Sequence, residues 1–247
     1  MLIWPIVAAV ALSTIVVNVA HAGQIVVPGV NTSTEGNSNL NAPFSRGAIA
    51  TNGRFQQVYS ASEFTSFGGS FSITELRFRP NAQGGSAGHA FSETLPAIQI
   101  DLSTTSAQPD ALSTTFANNV GADDRIVFSG PLTLSSAFTG PASGPKDFDI
   151  VIHLQTAFFY NPLLGNLLFD VRFPDGSGPD LGALFDAQNI VADSISIVLN
   201  DNAFSGGPAT LTNGLVTEFV FVAVPMPPAL ILVLVGISAI ALTRRRK

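Results

Sequence analysis

The chain has 247 residues, 17 of them acidic and 11 basic, and no cysteine. Disulfides and thiolate zinc sites are therefore excluded, and stability has to come from packing. Arg244, Arg245, Arg246 and Lys247 supply four of the basic residues, leaving seven against seventeen acids elsewhere, a charge near −10 that repels phosphate backbones and argues against nucleic acid as a partner.

Taken in chain order, Leu2 to Val19 is apolar and uncharged, and Ala20-His21-Ala22 places small residues at both ends of an A-x-A cleavage site. Residues 1–22 read as a signal peptide, although its start carries no Lys or Arg, and Gly23 reads as the first mature residue. The next 200 residues suffice for one sizeable core and show neither a repeat nor a linker, so 23–223 reads as one domain. Ser60 and Glu63 have capping-box spacing for a single helical turn.

Period-2 patterning follows. In Thr74–Arg79, Leu76 and Phe78 face one way while Glu75, Arg77 and Arg79 face the other. Ile98, Ile100 and Leu102 alternate with Gln99 and Asp101. Asp110–Asn118 reads as a short helix with Leu112 and Phe116 on one face. Arg125–Phe128 is a strand, and so are Phe148–Leu154 and Leu167–Phe173, with Asn161-Pro162 and Gly165-Asn166 turning between them. Ser194–Leu199 and Leu215–Val222 complete the set. All 19 phenylalanines lie between Phe44 and Phe221 and are the expected core aromatics. Short strands punctuated by Gly, Pro, Asn and Ser predict an all-β fold, an antiparallel β-sandwich or jelly roll.

Residues with catalytic potential are few. Gly84-Gly85-Ser86-Ala87-Gly88 matches the G-x-S-x-G elbow and precedes His89, but the strand before and helix after that this motif needs are missing, so a loop is expected. His153 falls on the polar parity of its strand and reads as a solvated residue. Oxygen-rich loops occur at Asn118-Asn119 with Asp123-Asp124, at Asp147 with Asp149, at Asp175 with Asp180, and at Asn200-Asp201-Asn202. Such groups suit calcium, with Asp123 and Asp124 as the candidate ligands, but Asp, Asn and Gly also serve turns and no EF-hand pattern is present. Beyond the leader there is no Trp and only Tyr59 and Tyr160, which counts against a glycosidase or a conventional lectin. No enzyme activity and no obligatory cofactor are expected.

The tail is the most informative segment. Val224-Pro225-Met226-Pro227-Pro228-Ala229 precedes the apolar run Leu230–Leu242, and the basic cluster Arg244–Lys247 follows. The run is shorter than the roughly 20 residues a bilayer requires, so Pro227, Pro228 and Ala229 must extend it, proline being tolerated in a first helical turn. The positive-inside rule keeps the basic cluster cytoplasmic and places residues 23–223 across the membrane, the topology the leader also predicts.

This tripartite tail, residues 224–247, resembles the sorting tail of PEP-CTERM proteins of Gram-negative bacteria, in the variant that reads Val-Pro-Leu-Pro-Ala. Met226 stands where the name-giving motif has Glu and the variant has Leu, and there is one additional proline. The resemblance implies recognition by an exosortase, a membrane cysteine transpeptidase-like enzyme, with cleavage near the motif and transfer of the ectodomain outward. Thr34–Asn39, Arg54–Tyr59, Leu102–Ala107 and Gly165–Leu168 are likewise similar to ectodomains in that group, a likeness that carries no activity. The expectation is an exported precursor anchored through its C-terminal helix, then a structural or matrix-interaction protein at the cell surface that contacts exopolysaccharide. The alternative is a secreted or membrane-tethered hydrolase acting on extracellular polymers, which would need a cleft holding two acids, or Ser86 beside His89 and an acid.

Overall fold

The computed structural model describes residues 22–44, 53–67, 69–82, 89–173, 183–200 and 209–224. Its strands are β1 (Ala22–Val27), β2 (Ser38–Leu40), β3 (Arg54–Tyr59), β4 (Phe71–Phe78), β5 (Phe91–Thr105), β6 (Arg125–Ser136), β7 (Ile150–Tyr160), β8 (Asn166–Arg172), β9 (Phe185–Asn189), β10 (Ile195–Leu199), β11 (Ala209–Leu211), β12 (Asn213–Leu215) and β13 (Thr217–Ala223). They form three antiparallel sheets: four strands ordered β1-β13-β4-β7, six ordered β11-β10-β3-β8-β5-β6, and three ordered β12-β9-β2. Residues 1–21, 83–88 with Ser86, and 225–247 lie outside the described residues.

Alternation produces the half-buried strands. Along β4, Leu76 and Phe78 are buried while Glu75 and Arg77 are half-buried on the other face, and along β7 Ile150 and Ile152 alternate with exposed His153. β5 and β6 pair from Phe91 to Leu102, but the register breaks between Leu95 and Ile98. Pro96 lies in that break, and proline has no N–H to give a ladder.

Tyr59 on β3 meets Phe219 on β13 edge-on with ring centroids 4.9 Å apart, and Phe78 on β4 meets Phe169 on β8 at 6.1 Å. These pairs join the four- and six-stranded sheets through one apolar core. Phe64 drops from the 3-10 helix Ala61–Phe67 into that core, 5.2 Å from Tyr160 and 5.3 Å from Phe219.

Several expectations need correction. Arg79 is 1% exposed and Asp101 is 1% exposed, although both sit on the polar parity, because a second layer of chain covers those faces. β8 is buried on both faces rather than one, since it lies between β3 and β5 and under residues 106–124. Residues 110–118 form turns and a 3-10 helix at Phe116–Asn119 in place of an α-helix. Leu112 and Phe116 nevertheless share one small apolar cluster with Val58, Leu168 and Val198. The capping box is not made, because Glu63 Oε2 accepts instead from the Gly29 N–H at 3.1 Å. Phe67 and Phe159 are 42% and 54% exposed rather than core.

Candidate functional site

Cross-strand register assembles a polar patch on the six-stranded sheet. Gln56 and Asp101 both stand opposite Asp170, while Arg54 and Gln99 both stand opposite Arg172. These positions are two apart along each strand, so all point to one face. Arg54 donates its Nε–H to Asp170 Oδ1 at 2.8 Å and a terminal N–H to Oδ2. Gln56 Nε2 donates to the same Oδ2 at 2.9 Å and to the Phe116 carbonyl at 3.1 Å. Asn119 Nδ2 donates to Gln56 Oε1 at 2.9 Å, which ties segment 106–124 onto the sheet.

Beside it, Asp101 accepts from Gln99 Nε2 at 2.8 Å, with Arg172 Nε 3.8 Å away. Burial pushes the Asp101 carboxyl up, and the Gln99 hydrogen bond and the Arg172 charge act against it. Both oxygens of Asp170 already accept from this chain's own donors. A carboxylate used that way positions strands and has little capacity left to act as a base.

A second network lies at the end of β4. Arg79 donates its Nε–H to Asp186 Oδ2 at 2.7 Å, and its Nη2 donates to the carbonyls of Asn31 and Thr34 at 2.9 and 2.8 Å. Gly36 N–H completes Asp186 at Oδ1, 2.9 Å away. The guanidinium lies over the Phe148 ring at 4.7 Å. Burial raises the Asp186 pKa against the pull of Arg79. An open cleft of about 390 Å³ borders this pair, lined by Gln24, Thr32, Arg77, Lys146, Phe148 and Glu218 among others. Arg77 is bound to Glu75 and Glu218, and Lys146 Nζ donates to the Pro141 carbonyl at 2.6 Å. The cleft offers hydroxyl, amide and paired charged groups.

A third polar region is a cleft of about 430 Å³ between Pro28, Val30, Ser60, Ser62, Glu63 and the turn at Ala192–Ser194. Asp193 Oδ1 accepts from the Ile195 N–H at 2.9 Å. Its pKa is raised to about 6, first by burial and then by the negative charges of Asp110 and Glu63.

Of the two expected calcium ligands, Asp123 has a structural duty. Asp123 Oδ1 accepts the Thr104 N–H at 2.7 Å and so fastens the 121–124 turn to β5. Asp124 is exposed, and its pKa is raised by partial burial and by the charges of Asp101 and Asp170. Asn119 is buried in the polar patch, and Asp149 Oδ2 accepts the Ala137 N–H at 2.8 Å. Among the described residues, no group of three or more His, Asp or Glu could hold a metal ion. His153 stands 76% exposed, its Nδ1 3.1 Å from Glu75 Oε1. Asp175, Asp180, Asp201, Asn202 and the 84–88 motif lie outside the described residues, as do Ala20, Pro225 to Ala229 and Arg244 to Lys247. Val224 and Ala22 are exposed at the ends of β13 and β1.

The sequence reading missed Asp101, Asp170, Arg79 and Asp186 as a set. The available signal was a single charge inside an apolar run, as in Leu167-Leu168-Phe169-Asp170-Val171, because a buried charge requires a partner. No family model, no curated protein and no solved structure matches this chain.

Proposed function

We propose that this chain is an exported, non-enzymatic surface protein whose folded part is a β-sandwich. It is delivered by a cleaved leader and held by its tail until an exosortase-type enzyme acts near Val224–Ala229. Its role is structural or matrix-interacting, in the envelope of a Gram-negative producer of exopolysaccharide. The observation that carries the reading is the register Ala22 opposite Val222. Antiparallel β1 and β13 bring the two expected junctions together at one edge of the domain, an arrangement compatible with a domain tethered there through its tail.

Two further observations support it. Asp170, Asp186 and Asp123 are occupied by donors of the chain itself, an arrangement of a scaffold rather than a hydrolase. The Tyr59–Phe219 and Phe78–Phe169 pairs, which link the four- and six-stranded sheets, support the sandwich reading. On this reading the cleft lined by Gln24, Thr32 and Lys146 is one surface open to a hydroxylated polymer.

The test is the intact mass of the protein from its native host, with membrane and surface fractions kept apart. A surface form that begins at Gly23 and stops near Val224 is the expected result. A surface form that keeps Arg244–Lys247 would overturn the sorting reading.

A further inference from the structure

The four-stranded sheet is divided by charge along its strands. Because neighbours are antiparallel, β13 and β7 run the same way and end together at Ala223 and Tyr160, while β1 and β4 begin there at Ala22 and Phe71. Val224 N–H still donates to the Ser70 carbonyl at 3.3 Å, so the exit point lies on this edge. The strand ends that meet here, residues 22–26, 70–74, 158–164 and 220–224, contain no Asp, Glu, Lys or Arg, although Asp123 lies near enough for its charge to act on Tyr160. Glu75, Arg77, His153 and Glu218 all lie toward the other end of the same strands.

The same edge exposes large apolar side chains. Leu163 and Leu164, in the turn after β7, are 83% and 74% exposed, Phe67 is 42% exposed and Val224 is 41% exposed. Val30 and Val191, near Glu63 and Asp193, are exposed as well, and so are Ile126, Ile190 and Leu211. Only five residues separate Val224 from the apolar run at Leu230, so this edge stays within about 20 Å of the start of that run even at full extension.

The geometry points to this edge as a lipid-facing surface: in the tail-bearing form, Leu163, Leu164 and Phe67 enter the interfacial layer of the bilayer and hold this edge of the domain against it. The inference rests on the proposal that 230–242 is the membrane segment. Apolar area removed from water is stabilising, and uncharged side chains enter the interface without the cost of desolvating a charge. The covalent tail supplies the proximity that so small a patch could not obtain alone.

The chain has no native cysteine, so single probes are clean. Full-length protein carrying Leu164→Cys, Phe67→Cys or, as the distant control, Ser143→Cys is labelled with an environment-sensitive fluorophore and reconstituted into phosphatidylcholine vesicles. The expected result is a blue shift and quenching by lipid-borne quencher at positions 164 and 67 and neither at 143. Adding Leu163→Asp should reduce the shift at 164 while the protein still floats with the vesicles. Floating protein with an unshifted probe at 164 and 67 would overturn the lipid-facing edge and leave the tail proposal standing. Protein that fails to float would overturn the tail proposal and this inference with it.

Discussion

The Gln57 side chain pairs with the Leu215 main chain as a second peptide unit would. Its Nε2 donates to the Leu215 carbonyl at 2.9 Å and its Oε1 accepts the Leu215 N–H at 2.8 Å, all of it buried. Through this pair β3 of the six-stranded sheet grips β12 of the three-stranded sheet.

Gln57→Leu should therefore strand a buried donor and weaken the bonding of a carbonyl that keeps only Thr217 Oγ1, at 3.2 Å. Each orphaned group costs about 1–3 kcal/mol. A fall in the urea midpoint of that size, with faster amide exchange at Leu215, is the expected outcome. Unchanged exchange at Leu215 would contradict the pairing.

Gly121 is required by close approach. A Cβ there would lie 1.7 Å from the Thr104 carbonyl oxygen, a backbone atom that cannot swing aside, whereas one at Gly69 would meet nothing within 4 Å. Gly121→Ala should cost about 1–3 kcal/mol or more by overpacking and loosen segment 106–124, and Gly69→Ala should be near neutral. Thermal melts of the two variants side by side make the comparison.

Asp193 predicts a pH dependence of unusual sign. Its pKa is about 6 in the fold against 3.8 ordinarily, so between those values the folded state binds more protons than the unfolded state. Stability contributed by this group must then fall as pH rises from about 4 to about 6. Asp193→Asn should flatten that part of the stability profile, measured by urea unfolding at a series of pH values.

Asp123 acts on the backbone at Thr104. Asp123→Ala should cost about 1 kcal/mol, the ordinary net value of one hydrogen bond, and the loss should be equal in calcium and in chelator. A melting temperature that rises with calcium in the parent and not in the variant would instead make Asp123 a ligand.

Local patterning was enough to place β4, β7, β8 and the turn at 161–166, because alternation and turn residues act over a few positions. It also placed His153 in solvent, since parity alone decides which face a residue of an outer strand takes. It was not enough for β2, β9, β11 and β12, which are too short to show a period, nor for β3, where Gln56 and Gln57 look polar yet are fully buried.

What the sequence determined by itself is the strand-rich class, the absence of cysteine chemistry and the tail's resemblance to a sorting signal. The tertiary structure decided which charges are buried together. Arg54 and Asp170 are 116 residues apart and Arg79 and Asp186 are 107 apart, and no local pattern encodes such partners. Pairing of this kind follows from strand order and register, which are set by how apolar faces of distant strands close on one another.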